Sequence, residues 1–339
     1  MASLPHLNPL PVGMLDRSGT YTGPGDVTSG WEVWFGLRAF SRSVALGATQ
    51  KAVNVRRASD NTTSDILILK TGVLDVATAQ SFAGTDATGV GAITGTALTF
   101  TGGHVGDVVT GGTTLPGTVI VSGSSPAWTV NKSQTVASTT LTLSWGLFVT
   151  KWYDQAGGGK DASNSTTAQQ PQLLLAGGPG NNPTVNFSGA ASQGLTTAAS
   201  VTGSSSGSIS FVAIRTGAFT TIGPVTSSSF SNGFSTAANL IYLFVTSLVT
   251  ASATDSVWHA ANNTINGTSS TIYIDGTSST VNPGGPVSQT GVISLGCNRG
   301  AGQFQTGGIA EVGWNSAVFS AGTQASLNSN QHGTNGYNF

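Results

Sequence analysis

Ionisable side chains are scarce in this chain, with 12 Lys and Arg, 13 Asp and Glu and 4 His, so any chemistry has few residues to draw on. Only two acids are glutamates, Glu32 and Glu311. A pair of carboxyl groups about 5–5.5 Å apart can displace a group at a sugar carbon, one attacking and one moving a proton. Asp255, Asp275 and Glu311 are the residues available for such a pair, although Asp275 reads as a turn residue before Gly276 and Glu311 as a strand residue. The histidines His6, His104, His259 and His332 stand in separate segments. They form neither a recognisable serine–histidine relay nor a His-Glu-x-x-His metal pattern, and His259 reads as a core histidine. Asp154 and Asp161 bracket the run Gly157-Gly158-Gly159. Calcium ligation and a glycine-stabilised Asx loop both fit that spacing, and the loop is the plainer reading. The same run lacks the Gly-Lys-Ser/Thr ending of a phosphate cradle. Cys297, the single cysteine, cannot form an internal disulfide and reads as a buried thiol. No metal or other cofactor is expected from these residues.

The elements that must carry these side chains read as strands. Ala52–Arg57, Thr63–Leu69, Phe148–Tyr153, Thr184–Phe187, Ile209–Arg215, Leu240–Val249, Ser256–Ala261, Thr271–Ile274, Gly291–Leu295 and Gly308–Trp314 alternate apolar with polar residues or are rich in β-branched ones. Helical patterns are few: one near Leu37–Val44, one over Leu74–Phe82 with Asp75 at its start, and one over Ser320–Asn330. Many short strands with frequent turns predict an all-β sandwich. Between Asp86 and Ser144 glycine separates further β segments, at Ala92–Phe100, Val105–Val109, Thr118–Val121, Trp128–Val130 and Thr139–Leu143. This stretch reads as a small inserted β-domain, dividing the sandwich into residues 31–85 and 145–339. Pro5, Pro9, Pro11 and Pro24 punctuate residues 1–30 without apolar periodicity. An extended arm docking on a neighbouring subunit and a disordered leader both fit that composition.

Composition narrows the partners. Charged residues are 7% of 339 and the formal net charge is −1, so electrostatic capture of nucleic acid is not expected. No stretch reaches the roughly 18 apolar residues of a membrane span, and residues 1–14 lack a basic start followed by an apolar run. Of the basic residues, only Arg215 and Arg299 follow Lys160. The polarity of the later half comes from Ser, Thr, Asn and Gly, which suits a surface packed among identical copies, so a homo-oligomer is expected.

Three patches resemble the concanavalin A-like, laminin-G-type sandwich: Ser208-Ile209-Ser210-Phe211-Val212-Ala213, then Val257-Trp258-His259-Ala260-Ala261 with Tyr273-Ile274-Asp275-Gly276, and Gly308-Ile309-Ala310-Glu311-Val312. The Trp258 and Tyr273 segments are expected to pair with their aromatics in the core. Gly36-Leu37-Arg38-Ala39-Phe40-Ser41, Val55-Arg56-Arg57-Ala58-Ser59-Asp60-Asn61 and Trp152-Tyr153-Asp154-Gln155-Ala156-Gly157-Gly158-Gly159-Lys160-Asp161-Ala162 resemble the arabinofuranosidase B catalytic domain and its phage-encoded relatives. The fold so implied is a concanavalin A-like jelly roll. The resemblance places that family's glutamate nucleophile at Asn239, ahead of Ile241-Tyr242-Leu243, and its acid/base aspartate among Cys297-Asn298-Arg299, where this chain has no carboxylate.

The segments Ile93-Thr94-Gly95-Thr96, Leu115-Pro116-Gly117-Thr118 and Ser133-Gln134-Thr135-Val136 resemble a small β-module of phage structural proteins. Together these resemblances imply a non-catalytic protein of a bacteriophage virion surface, a capsid decoration or a head or tail spike. Its expected partners are other virion proteins and a host glycan. Trp128, Trp145, Trp152, Trp314 and Tyr242 supply candidate stacking aromatics, and the ligand-binding residues expected are Trp152, Asp154, Tyr242 and Asn298. An arabinofuranosidase-like hydrolase is the alternative.

Overall fold

The computed structural model describes residues 21–47, 49–201, 206–217, 225–226, 231–234, 240–244, 247–284, 291–298, 303–333 and 336–339. His6, Asn239 and the first twenty residues of the expected arm lie outside them. Residues 21–30 pack on the body: Tyr21 is buried and the amide of Gly25 donates to Phe40 O at 2.7 Å.

The protein is an all-β sandwich. In one layer His259–Ile265, Gly207–Arg215, Gly307–Asn315 and Trp31–Gly36 lie side by side, each antiparallel to the next. Ser270–Ile274 and Thr277–Val281 extend it beyond His259–Ile265. The second run places Thr63–Leu67, Lys51–Arg57, Leu147–Trp152, Gln172–Leu174 and Thr184–Phe187 in order. Thr184–Phe187 also pairs with Gly307–Ile309, which joins the two runs at one corner. Inward residues from both, among them Phe35, Val55, Trp152, Phe211 and Ile309, form one core. Strands alternate their side chains between two faces, yet His259–Ile265 and Gly307–Asn315 are buried throughout. The helix Ala321–His332 closes the outer face, where Gln324 reaches Asn262 O at 2.6 Å and Gln331 reaches Ser210 Oγ at 3.0 Å. Gly313 allows the close approach beneath, since a Cβ there would lie 2.2 Å from the ring of Trp34.

Thr85–Thr99 and Ala127–Ser144 form a long hairpin, to which Val108–Thr110 and Ile120–Ser124 add through Ala127–Ser144. Ile93, Phe100, Ile120, Trp128 and Leu141 belong to a core of their own, separate from that of the sandwich. The two segments Trp128–Val130 and Thr139–Leu143 expected from the sequence are parts of one strand. Between them the ladder to Thr85–Thr99 jumps from Gln134 to Thr129 across Gly95 and Ala97, and residues 130–133 bulge towards the 116–120 segment, where Asn131 N donates to Val119 O at 3.0 Å.

Other boundaries also move. The expected strand Leu240–Val249 is a hairpin, Leu240–Phe244 against Leu248–Ser252. The helix expected over Leu37–Val44 is Arg42–Gly47, five residues later at its start and three at its end. The Trp258 and Tyr273 segments pair as expected, His259–Ile265 against Ser270–Ile274, but Trp258 precedes its strand and packs with Val212, Ala310 and Tyr337 away from the main core instead of facing it. Asp275 and Gly276 make the tight turn with φ of 48° and 88°. Among the described residues, no helix is long and apolar enough to cross a membrane.

Candidate functional site

The four ligand-binding residues expected from the sequence, Trp152, Asp154, Tyr242 and Asn298, do not form one site among the described residues. Trp152 is 0% exposed, packs on Phe35 with ring centroids 6.1 Å apart, and has no face free to stack on a sugar. Asp154 is closed by its own loop: it accepts from the amides of Trp34 at 3.0 Å, Ala156 at 2.9 Å and Lys160 at 3.2 Å, while Asp161 Oδ1 accepts from Asp154 N at 3.0 Å. That is the Asx-type arrangement, and it uses Asp154 to seat the loop on the Trp31–Gly36 strand. Trp128 and Trp314 are buried as well. Tyr242 sits in Leu240–Phe244 opposite Gly233 and Thr250, and Asn298 pairs with Gln303; their side chains lie outside the described part.

Glu311 is 0% exposed and sits in a buried ion pair, with Arg38 Nε donating to Oε2 at 2.6 Å and Nη2 to Oε1 at 3.0 Å. Gln331 Nε2 and Tyr337 Oη donate to the same carboxylate at 3.0 and 3.2 Å. Burial works against the Arg38 cation, but the charge and hydrogen bonds of Glu311, with Tyr21 and Tyr337 nearby, together outweigh it and raise the Arg38 pKa. The pair ties the sheet to the final helix and is closed to substrate.

The groups with chemical reach lie at the other end of the same layer. A groove of about 660 Å³ is lined by residues 251–254, His259, Ile274, Asp275, Thr277 and Ser279. Three elements bring its ionisable groups together: the turn after Ser270–Ile274 supplies Asp275, the start of the next strand in the layer supplies His259, and the end of the last helix supplies His332. Asp275 Oδ2 lies 2.5 Å from His259 Nδ1, Oδ1 lies 3.2 Å from His332 Nε2, and Oδ1 also accepts from Ala260 N at 2.9 Å.

The protonation states follow from the partners. His259 Nε2 faces Thr254 O at 2.7 Å, and His332 Nδ1 faces Phe339 O at 2.9 Å. Carboxylate and carbonyl oxygens only accept, so each ring satisfies both neighbours only when both its nitrogens carry hydrogen. Burial opposes the charge on His259, but the bonds to Asp275 and Thr254 together with the charges of Asp275 and Asp255 outweigh it, and the pKa rises. The His332 pKa rises chiefly through its own bond to Asp275. Desolvation pushes the Asp275 carboxyl up, and the two imidazoles overcome it and hold it well below the usual range. The site is an ionised carboxylate held between two imidazolium rings. Beside it, Asp255 follows the groove residue Thr254 and is ion-paired with the buried Arg215. The sequence marked Asp255, His259 and Asp275 separately; His332 was missed as their partner, because 57 residues separate it from Asp275.

A second cluster, in the inserted domain, joins Asp86, His104 and Asp107, with one donor atom of each within 4.8 Å of the others. Cys297 is buried, and that burial pushes its thiol up to about 11.

No family model matches the sequence, and a search of curated proteins finds no match. Solved structures do match. A GH54 α-L-arabinofuranosidase soaked with a cyclic sulfate inhibitor is 15% identical with TM-score 0.60, and a mutant GH54 α-L-arabinofuranosidase soaked with 4-nitrophenyl α-L-arabinofuranoside is 14% identical with TM-score 0.61. An arabinofuranosidase complexed with arabinofuranosyl-α-1,2-xylobiose is 15% identical with TM-score 0.57. In each case the match covers 91% of this chain and 64% of the other, so the chain spans under two thirds of these enzymes' length. At this identity the likeness establishes the shared fold.

The expectation of a non-catalytic protein is corrected here. The solved structures sharing the fold across nearly the whole chain are glycoside hydrolases. The case for lost catalysis rested on two positions matched by eye, Asn239 and the residues after Gly296. Asp255 and Asp275, already named as available acids, come from separate segments, and the fold sets Asp275 in one groove with Asp255 next to its lining residue Thr254.

Proposed function

We propose that this chain is a glycoside hydrolase on a concanavalin A-like jelly roll, cleaving an arabinofuranosyl or similar furanosidic linkage in the groove over Asp275. The observation that carries this reading is the contact of a carboxylate with imidazolium groups at the groove, with a second carboxylate, Asp255, beside it. Glycoside cleavage requires negative charge against an oxocarbenium-like centre and a proton for the leaving oxygen. Asp275, held ionised, supplies the charge and cannot supply the proton. His259 carries a proton at the groove wall, and Asp255 stands as the second carboxylate. Ser252, Thr254, Thr277 and Ser279 line the groove with hydroxyls suited to sugar hydroxyls. The arabinofuranosidase fold supports the substrate class.

The test is release of nitrophenol from 4-nitrophenyl α-L-arabinofuranoside by the purified chain at mildly acidic pH. Asp275→Asn is expected to lower the rate by about 10²–10⁴, with Asp255→Asn also impaired. A folded wild-type chain that releases nothing from a panel of furanosides and pyranosides overturns the reading. So do unchanged rates in both variants.

The inserted β-domain, with a core separate from the sandwich, supports a compatible reading of where the chain works: on the surface of a bacteriophage particle, with the groove turned towards host glycans. Mass spectrometry of purified particles checks this, and absence of the chain from them rejects it.

A further inference from the structure

At the root of the inserted domain, Asp86 comes from the first residues of Thr85–Thr99, and His104 and Asp107 from the loop that follows it. The loop is held from outside the cluster: Ile120 N donates to Asp107 O at 3.0 Å, and Gln172 Nε2 of the sandwich donates to Gly106 O at 2.7 Å. Inside it, Asp107 Oδ2 accepts from His104 N at 2.7 Å, and His104 Nδ1 lies 2.8 Å from Asp86 Oδ2. Asp107 is 1% exposed, yet its Oδ1 has no hydrogen-bond partner. A buried carboxylate oxygen without a donor is costly, and such groups are paired or bound to metal. Among the described residues, His104 is the only basic side chain within ion-pair distance of either carboxylate.

We propose that Asp86, His104 and Asp107 bind a divalent cation, Zn²⁺ in preference and Mn²⁺ as the second choice, which pins the root of the inserted domain. One donor atom of each residue lies within 4.8 Å of the others. A tetrahedral ion about 2.0–2.2 Å from each donor brings them to about 3.4 Å apart. The His104 side chain is 62% exposed and can turn to supply that contraction. Two carboxylates with one imidazole make a borderline donor set that suits Zn²⁺ and Mn²⁺. Three protein ligands leave a fourth position to water, on the open side. The cation also supplies the missing partner of Asp107 Oδ1.

The cluster is independent of the groove, and its test does not use activity. The chelator-treated full chain is titrated with ZnCl₂ and, separately, MnCl₂ by calorimetry, and its thermal midpoint is followed with and without each ion. The expected result is one ion per chain with a raised midpoint. Asp107→Asn and His104→Ala should each weaken binding by at least the roughly 100-fold upper end that loss of an outer-shell partner produces. The exposed side chain of His104 makes its removal safe for the fold even where Asp107→Asn disturbs it. No saturable binding at millimolar ion overturns the proposal, and so does wild-type affinity in folded His104→Ala.

Discussion

At the scale of single residues, the two charge clusters differ in kind, one buried and one open to the groove, and so do the predictions they carry. The Arg38–Glu311 pair is enclosed, with every contact made to protein. Removing one partner strands the other in a medium that cannot solvate it. Arg38→Leu is therefore expected to cost about 3–5 kcal/mol, read from the urea midpoint. The His259–Asp275–His332 cluster titrates instead. Raised histidine pKa values mean that their stabilisation is complete below the unfolded value of 6.5 and is lost as pH rises through the folded values. A depressed Asp275 means that its stabilisation is present above the unfolded value of 3.8 and is lost as pH falls through the folded value. The contribution of the cluster is thus greatest between those two pH values. Urea midpoints measured across pH should peak in that window, and Asp275→Asn should flatten the peak.

At the scale of elements, two helices were legible from their first residues. Asp75 accepts from Thr78 N at 3.0 Å, and Ser320 accepts from Thr323 N at 3.1 Å. Each cap satisfies an amide that the helix itself leaves open. Ser320→Ala is expected to destabilise the protein by about 1 kcal/mol in chemical denaturation. The strand Ala127–Ser144 was read as fragments, because polar runs look like turns when the strand that pairs with them is unknown. Thr85–Thr99 pairs with both ends of the polar stretch, and residues 130–133 leave that ladder to bond the 116–120 segment instead, so partners distant in sequence hold the strand together.

At the scale of the whole molecule, the sandwich and the inserted domain keep separate cores. Thr85 and Ser144, the two ends of the insertion, are paired with each other. A short linker can therefore replace the stretch between them without straining the sandwich. Excision of residues 86–143 with a Gly-Ser bridge is expected to leave a folded β protein whose groove remains intact, checked by circular dichroism and by the nitrophenol assay. Collapse of the β signal would mean that the sandwich depends on the insertion.

Composition and alternation by themselves determined the class of this protein: an all-β sandwich with few charges, short capped helices and a glycine-spaced insertion. These are local properties, since side-chain period, capping and turn chemistry act over a few residues. Which acids matter was decided only by the tertiary structure. Glu311, one of two glutamates, is sealed against Arg38, while Asp275, which had looked like a mere turn residue, meets histidines from two other elements. Likewise Asp86 meets His104 and Asp107 only because the chain folds back at the root of its hairpin. Burial and the pairing of distant charges depend on which strands become neighbours, and no short window of sequence contains that choice.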